Sequence, residues 1–195
     1  MASLFQNLEL EAFKAGITPR TKQSMAWFRK KAQQLRPNRN NLMKDDELLL
    51  RNRTAVGKMY MYFYDPKYKK TLPYYDRFPL TIIVGPAPNG FYGLNLHYLP
   101  PDLRARFLDN LLDTLNNEKY DETTKFRLSY DMLQRASKLR AFKPCFKRYL
   151  TKHVRSRFAM VQAPEWEIAT FLPTADFEKA SKTTIYRDSR RMMRR

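Results

Sequence analysis

The chain has 195 residues, with 37 Lys and Arg against 19 Asp and Glu, so its formal net charge at pH 7 is +18. Its 14% aromatic content is too high for a disordered protein, and its length suffices for one domain with a buried core. No apolar run approaches the ~20 residues of a spanning helix. The single cysteine, Cys145, excludes an intrachain disulfide.

Residues 1–53 are expected to form a basic N-terminal helical arm. Thr21 can cap a helix in which Met25 and Phe28 recur at helical spacing, and Pro37 ends this pattern. A polar linker at residues 38–41 follows. We expect a single α+β domain to occupy residues 54–181.

Residues 57–99 predict a small, Tyr-rich antiparallel sheet. In the first strand Tyr60, Tyr62 and Tyr64 alternate with Met59, Met61 and Phe63, as expected for residues on opposite faces. A second strand at residues 80–84 and a third at 91–98 flank the turn signal Asn89-Gly90. The tyrosines could stack nucleobases, but packing in the core or at an interface is the favoured interpretation.

Several helices are expected after the sheet. Pro100-Pro101-Asp102 is a helix-start signal, followed by an apolar stripe that reaches Leu115. Further helices are predicted over residues 126–139 and 144–157, and a short one over 163–172. The last segment, residues 182–195, is expected to be an extended basic tail. Together these elements predict an α+β fold.

The positive charge is concentrated in two segments. Residues 143–157 contain no acid, and the tail contains only Asp188. Such segregation indicates a surface that meets a negative partner, either nucleic acid or acidic protein. The candidate residues for binding this partner are Lys143, Lys147, Arg148, Lys152, Arg155, Arg157, Arg187, Arg190, Arg191, Arg194 and Arg195.

The signals for catalysis are weak. Asp45-Asp46-Glu47 could bind Mg²⁺, although acids at the first turn of a helix are a simpler interpretation. His97 lacks a nearby nucleophile in the sequence, and Cys145 is expected to be a packed residue. We therefore predict a non-enzymatic protein with no catalytic residues, no metal, no cofactor and no small-molecule substrate.

Several sequence blocks resemble a known family. They are LPYYDRFPLTIIVGPAPNGFYGLNLHYLPPDLRAR at residues 72–106, KYDETTK at 119–125, FKPCFKRYLTKHVRSRF at 142–158 and YRDSRR at 186–191. These blocks are similar to small basic proteins of contractile-tailed bacteriophages, especially marine myoviruses. The resemblance implies a virion-associated late protein and supplies no catalytic residues.

Two main hypotheses follow. The first is a virion structural protein, made in the host cytoplasm, that docks onto other phage proteins in a tail, baseplate or neck through its aromatic sheet and basic arms. The alternative is a sequence-independent protein that binds double-stranded DNA, at the packaged genome or its ends. A third and weaker hypothesis is a metal-dependent nuclease that uses Asp45 and Asp46.

Overall fold

The structure is a computed structural model that describes residues 4–18, 21–35, 37–44, 49–115, 119, 121, 131–135, 138–162 and 165–194. The strands are β1 (Leu49–Arg51), β2 (Met59–Met61), β3 (Tyr75–Asp76), β4 (Leu80–Ala87), β5 (Gly90–Asn95), β6 (Phe146–Leu150), β7 (Phe158–Val161) and β8 (Phe177–Glu178). The helices are α1 (Leu4–Lys14), α2 (Lys22–Gln34), α3 (Arg39–Leu42), α4 (Pro101–Leu115), α5 (Trp166–Phe171) and α6 (Lys182–Arg194). Short 3₁₀ turns occupy Leu96–Tyr98, Arg140–Phe142 and Thr151–His153.

The centre of the fold is an antiparallel sheet of six strands in the order β1-β7-β2-β4-β5-β6. Strands β3 and β8 form a separate antiparallel pair. The predicted α+β class is confirmed. The sheet is larger than the sequence indicated, because strands from residues 49–51, 146–150 and 158–161 join the central ones.

The two faces of the sheet differ in composition, as the alternation in β2 predicted. Met59 and Met61 belong to the cluster that packs against the helices. Tyr60 and Tyr62 belong to a second cluster on the other face, which consists mainly of aromatic side chains. Edge-to-face ring pairs such as Tyr62–Tyr149, with centroids 5.6 Å apart, each add about 0.5–1.5 kcal/mol beyond the burial of their area. Most of the strand tyrosines therefore stabilise the fold.

The helix predicted over residues 144–157 is wrong. The segment forms strand β6, which pairs with β5 from Gly90↔Leu150 to Leu94↔Phe146, and then a 3₁₀ turn. Phe146, Leu150 and Val154 recur every fourth residue. That spacing places side chains on one side of a helix, but it equally places them on one face of a strand. Tertiary pairing with β5 decides between the two.

The extended tail predicted for residues 182–195 is also wrong, because residues 182–194 form α6. The hydroxyl of Ser181 accepts a hydrogen bond from the Thr184 backbone N–H (3.2 Å), as a helix cap does. Ile185 and Ser189 are buried one helical turn apart, and the Ser189 hydroxyl donates to the Tyr98 carbonyl (2.8 Å). This stripe holds the helix on the body of the protein.

The N-terminal segment contains helices, as predicted, and α2 is capped by Thr21. Phe5 of α1 and Phe28 of α2 belong to the same core cluster as the sheet residues, and β1 is part of the sheet itself. The division of the chain at residues 53 and 181 stays a prediction. Of the helix predicted over 126–139, residues 131–135 are helical, and Phe126 and Tyr130 lie outside the described residues.

Helix α4 begins at Pro101, as the start signal predicted. Helix α5 covers most of the short helix predicted over residues 163–172. The third predicted strand is shorter than expected, because β5 ends at Asn95 and a 3₁₀ turn follows. Within the described parts of the chain, no helix has both the length and the apolar character needed to span a membrane.

Candidate nucleic-acid interface

An open groove of about 1060 Å³ lies at one edge of the sheet. Its lining combines tyrosines with cations, and among the described residues the one acid that lines it, Asp76, is buried. The lining residues are Tyr64, Pro66, Lys67, Tyr68, Leu72, Tyr74, Tyr75, Asp76, Asn89, Gly90, Tyr98, Lys147, Arg148, Tyr149, Leu150, Thr151 and Lys152. We call this feature the edge groove.

The edge groove follows the outer edge of β6. Residues 147–152 all line it, although successive side chains of a strand point to opposite faces. A continuous run of this kind places the groove along the strand edge. In the described part of the chain no strand pairs with that edge, because β6 is last in the sheet order. An open strand edge presents backbone N–H and C=O groups to a ligand.

The turn between β4 and β5 contributes Asn89 and Gly90 to the edge groove. Asn89 adopts the left-handed conformation (φ 59°) that the Asn-Gly signal predicted. At Gly90 a Cβ atom would lie 1.8 Å from the Tyr149 carbonyl oxygen, so only glycine permits this approach of β5 and β6. The Asn89 carbonyl accepts a hydrogen bond from the Thr151 N–H (3.0 Å), which fixes the turn against the residues that follow β6.

Lys147 is the most unusual cation of the edge groove. Its Nζ lies 4.3 Å from the centroid of the Tyr98 ring. Burial lowers the pKa of Lys147, and no carboxylate among the described residues offsets that effect. A largely desolvated ammonium without a counter-ion is costly, and the cation–π contact offsets only part of that cost. The arrangement is suited to binding an anion.

A basic loop, residues 65–75, forms a second wall of the edge groove. Lys67 and Tyr68 line the groove, and the Lys67 Nζ lies 5.0 Å from the Tyr68 ring centroid. The loop is held by an ion pair between Lys69 and Asp65 (2.9 Å). It is also held by Lys179, whose Nζ donates to the Lys70 and Leu72 carbonyls (2.9 and 3.0 Å).

Sequence reasoning missed this wall. The motif Lys67-Tyr68-Lys69-Lys70 was not among the candidate binding residues. The interleaving of an aromatic residue with three lysines was an available signal for nucleic-acid contact.

A buried polar network supports the floor of the edge groove. Asp76 is 2% exposed and accepts hydrogen bonds from the Asn95 side chain (3.0 Å), His97 Nδ1 (2.7 Å) and the backbone N–H groups of Phe78 and Asp176 (3.0 and 3.1 Å). Burial alone would raise the pKa of Asp76, but His97 and these hydrogen bonds outweigh it and lower the pKa. Asp76 is therefore a fully bonded carboxylate.

His97 links this carboxylate to Thr174. Burial lowers the pKa of His97 despite the opposing effect of Asp76, so the ring is neutral at pH 7 and Nε2 accepts the Thr174 hydroxyl (3.2 Å). The connectivity Asp76–His97–Thr174 resembles a catalytic triad. However, His97 and Thr174 are both 0% exposed, so a substrate could not reach the hydroxyl. The network fastens β3 to the segments around residues 95–97 and 174–176.

Helix α6 presents a second basic surface. Arg187, Arg190, Arg191 and Arg194 line a shallow concavity of about 510 Å³ together with Thr183 and Tyr186. Arg190 forms an ion pair with Asp102 (2.8 Å), in which both side chains are about half exposed. We call this the α6 arginine face. It is open to solvent and belongs to one helix, whereas four segments of the chain line the edge groove: residues 64–76, 89–90, 98 and 147–152.

The structure therefore divides the eleven predicted cations. Lys147, Arg148 and Lys152 meet in the edge groove, and four arginines form the α6 arginine face. The others lie elsewhere: Lys143 is exposed, Arg155 contacts Asp65 (3.4 Å), Arg157 donates to the Leu50 carbonyl (2.9 Å), and Arg195 lies outside the described residues. Their role in binding stays a prediction.

The residues considered for catalysis or metal binding form no such site among the described residues. Asp45, Asp46 and Glu47 lie outside the described residues. Burial raises the pKa of Cys145 to about 12, which keeps its thiol protonated. Within the described ranges, no group of three or more His, Cys, Asp or Glu side chains is placed to hold a metal ion.

Fold and site together define an α+β protein with a basic, aromatic groove at an open sheet edge. A comparison with protein-family models matches residues 4–193 to the family described as phage T4 terminal DNA protecting protein. Because the match spans nearly the whole chain, the chain belongs to this family and is a bacteriophage protein, as the sequence resemblance implied. No curated protein and no solved structure matches the chain.

Proposed function

We propose that this protein binds the ends of linear double-stranded DNA without sequence preference and shields them. The family description, terminal DNA protecting protein, supports this role. The observation that carries it in the structure is the edge groove, where Lys147 lacks a carboxylate partner among the described residues and lies beside Arg148 and Lys152. Lys and Arg that contact phosphates displace counterions and give affinity without reading sequence.

The proposed action is protective binding without bond cleavage. The Asp76–His97–Thr174 connectivity is buried, and the Cys145 thiol is held protonated by burial. A protein of this kind blocks a DNA end by occupying it. A nuclease would instead need exposed groups that activate water or hold a metal.

The test is a binding and protection assay with a matched pair of variants. Arg148→Gln with Lys152→Gln removes two exposed charges from the edge groove, and Arg29→Gln with Lys30→Gln removes two exposed charges from α2. Binding to a linear duplex is measured against salt, and the fragment is then challenged with an exonuclease. We expect the groove variant to bind at least tenfold more weakly. The slope of the logarithm of its binding constant against the logarithm of salt concentration should become shallower by about 0.9 per lost phosphate contact. The α2 variant should change far less.

A covalently closed circle of the same sequence is the control for end recognition. It should compete poorly with the linear fragment. Equal competition by the circle would reject end binding, and equal losses in the two variants would reject the edge groove as the site.

We also propose that the protein is carried in the virion, as expected of a protein that shields packaged DNA ends. The finer predictions, an origin in a contractile-tailed marine phage and docking to tail, baseplate or neck proteins, rest on the sequence resemblance. The α6 arginine face is the surface that suits an acidic protein neighbour. Purified particles should contain the protein at a fixed copy number, and trace amounts would count against a virion role.

A further inference from the structure

We infer that the edge groove takes unpaired nucleotides at the end of one DNA strand. This inference rests on the proposed function and names the ligand of the same site. At about 1060 Å³ the groove is slightly larger than the roughly 300–1,000 Å³ that encloses one small organic ligand. That space is large enough for a few nucleotides.

The aromatic residues of the edge groove favour bases over a phosphate backbone alone. Tyr68 is 60% exposed, unlike the buried strand tyrosines, and its ring lies at the groove wall. Tyr74 and Tyr75 are half-buried and line the same groove. An exposed ring gains little in folding, whereas it can stack on any base, because every base has a π-face.

The cations are placed to hold the backbone of such a strand. Lys67 lies beside Tyr68 on the loop wall. Lys147 of β6 and Lys152 of the 3₁₀ turn after β6 also line the groove. A strand whose bases stack on the tyrosines exposes its phosphates to these cations. In a paired end the terminal bases are stacked and hydrogen-bonded to each other, so they cannot occupy the groove without fraying.

The experiment compares how three kinds of DNA end bind to the unaltered protein and to two variants of it. A blunt duplex, the same duplex with a short 3′ extension and the same duplex with a short 5′ extension are bound to the unaltered protein, to Tyr68→Ala and to Tyr68→Phe. We expect at least one extension to bind more tightly than the blunt end by about 5- to 150-fold, the range of stacking one base on an aromatic ring. Tyr68→Ala should remove this preference, whereas Tyr68→Phe, which keeps the ring, should retain it.

The outcomes separate this inference from the proposed function. If no linear DNA binds better than a closed circle, the proposed function fails and the inference fails with it. If linear duplex binds but blunt and extended ends are equal, the proposed function stands and the inference is overturned. Loss of the preference in Tyr68→Phe as well as Tyr68→Ala would also overturn it, because the ring would then not be the contact. Tyr68 is exposed, so both variants should fold.

Discussion

The two basic segments of this chain resemble each other in sequence and differ in structure. Residues 143–157 contribute strand β6 and the 3₁₀ turn after it, whose cations Lys147, Arg148 and Lys152 lie in a groove beside tyrosines. Residues 182–194 form α6, whose arginines spread over one open helix face. The number of positive charges is similar in both, so the difference comes from what surrounds each charge.

The hydration and the neighbours of each cation determine how strongly it indicates a binding site. An open arginine keeps its hydration, and its position costs the protein little. Lys147 has lost much of its hydration and has no carboxylate partner among the described residues, so its position costs folding free energy. A protein that keeps such a residue gives up stability, as is common at binding sites. This makes the edge groove a better candidate than the α6 arginine face.

The largest expected effect concerns the anchoring of β6. Tyr149 is 4% exposed, its ring packs against Tyr62, Tyr64 and Phe91, and its hydroxyl accepts a hydrogen bond from the Asn95 side chain (3.1 Å). We expect Tyr149→Ala to lower the free energy of unfolding by about 3–5 kcal/mol, measured by urea denaturation. Tyr149→Phe should cost only about 1 kcal/mol. A small loss in Tyr149→Ala would mean that β6 is not held by the aromatic cluster.

The second prediction concerns the anchoring of α6. Ile185 is 0% exposed, and Ile185→Ala should cost about 2–5 kcal/mol, towards the lower end because a terminal helix can loosen on its own. Hydrogen exchange should show faster opening of α6 than of β6. Binding to DNA ends should change little in this variant, because α6 lies outside the edge groove. A loss in affinity as large as that of the groove variant would show that α6 contributes to the site.

The third prediction tests Lys147 through opposite effects on stability and binding. We expect Lys147→Met to raise the free energy of unfolding by on the order of 1 kcal/mol, because it removes a largely buried charge that has no carboxylate partner among the described residues. The same change should weaken binding to DNA ends by about tenfold, the loss of one charge-assisted contact. Arg191→Gln on α6 is the control, and it should change neither quantity appreciably. Weaker binding together with lower stability would indicate a structural role.

The sequence predicted those features that depend on local pattern. Alternation in β2, the Asn89-Gly90 turn, the Thr21 cap and the start of α4 at Pro101 were all confirmed, because each follows from a few adjacent residues. The sequence-based prediction failed where the secondary structure depends on pairing with a segment that is distant in the chain. The residues of β6 fit a helix or a strand equally well, and only pairing with β5, more than fifty residues earlier in the chain, selects the strand.

The candidate site was likewise predicted where local sequence is sufficient and missed where only the fold brings residues together. Charge segregation indicated Lys147, Arg148 and Lys152, since the absence of acids is visible in the sequence itself. It did not indicate the loop with Lys67 and Tyr68, because only the fold brings residues 66–75 beside β6. In α6 the stripe of Ile185 and Ser189 was available as a helical signal. The high density of Arg around that stripe was interpreted as an extended tail instead.

A fourth prediction uses pH to distinguish the two basic surfaces. The protonated ammonium of Lys147 attracts phosphate, so bound DNA should raise its pKa, which burial lowers in the free protein. Affinity for DNA ends should therefore be constant at low pH and should decline once the pH passes the lowered pKa of free Lys147. Lys147→Arg stays charged throughout and should remove this decline. A decline that persists in Lys147→Arg would assign the titration to another group.

The smallest expected effect lies on α6. Arg190 and Asp102 form a half-exposed ion pair, and such pairs contribute about 0–1 kcal/mol. Arg190→Gln should therefore shift the free energy of unfolding by less than the difference between Tyr149→Ala and Tyr149→Phe. Its effect should also shrink as salt is added, because exposed charges are screened. A larger loss that persists at high salt would show that the α6 arginine face holds the helix in place, and the contrast between an open face and a structured groove would then no longer hold.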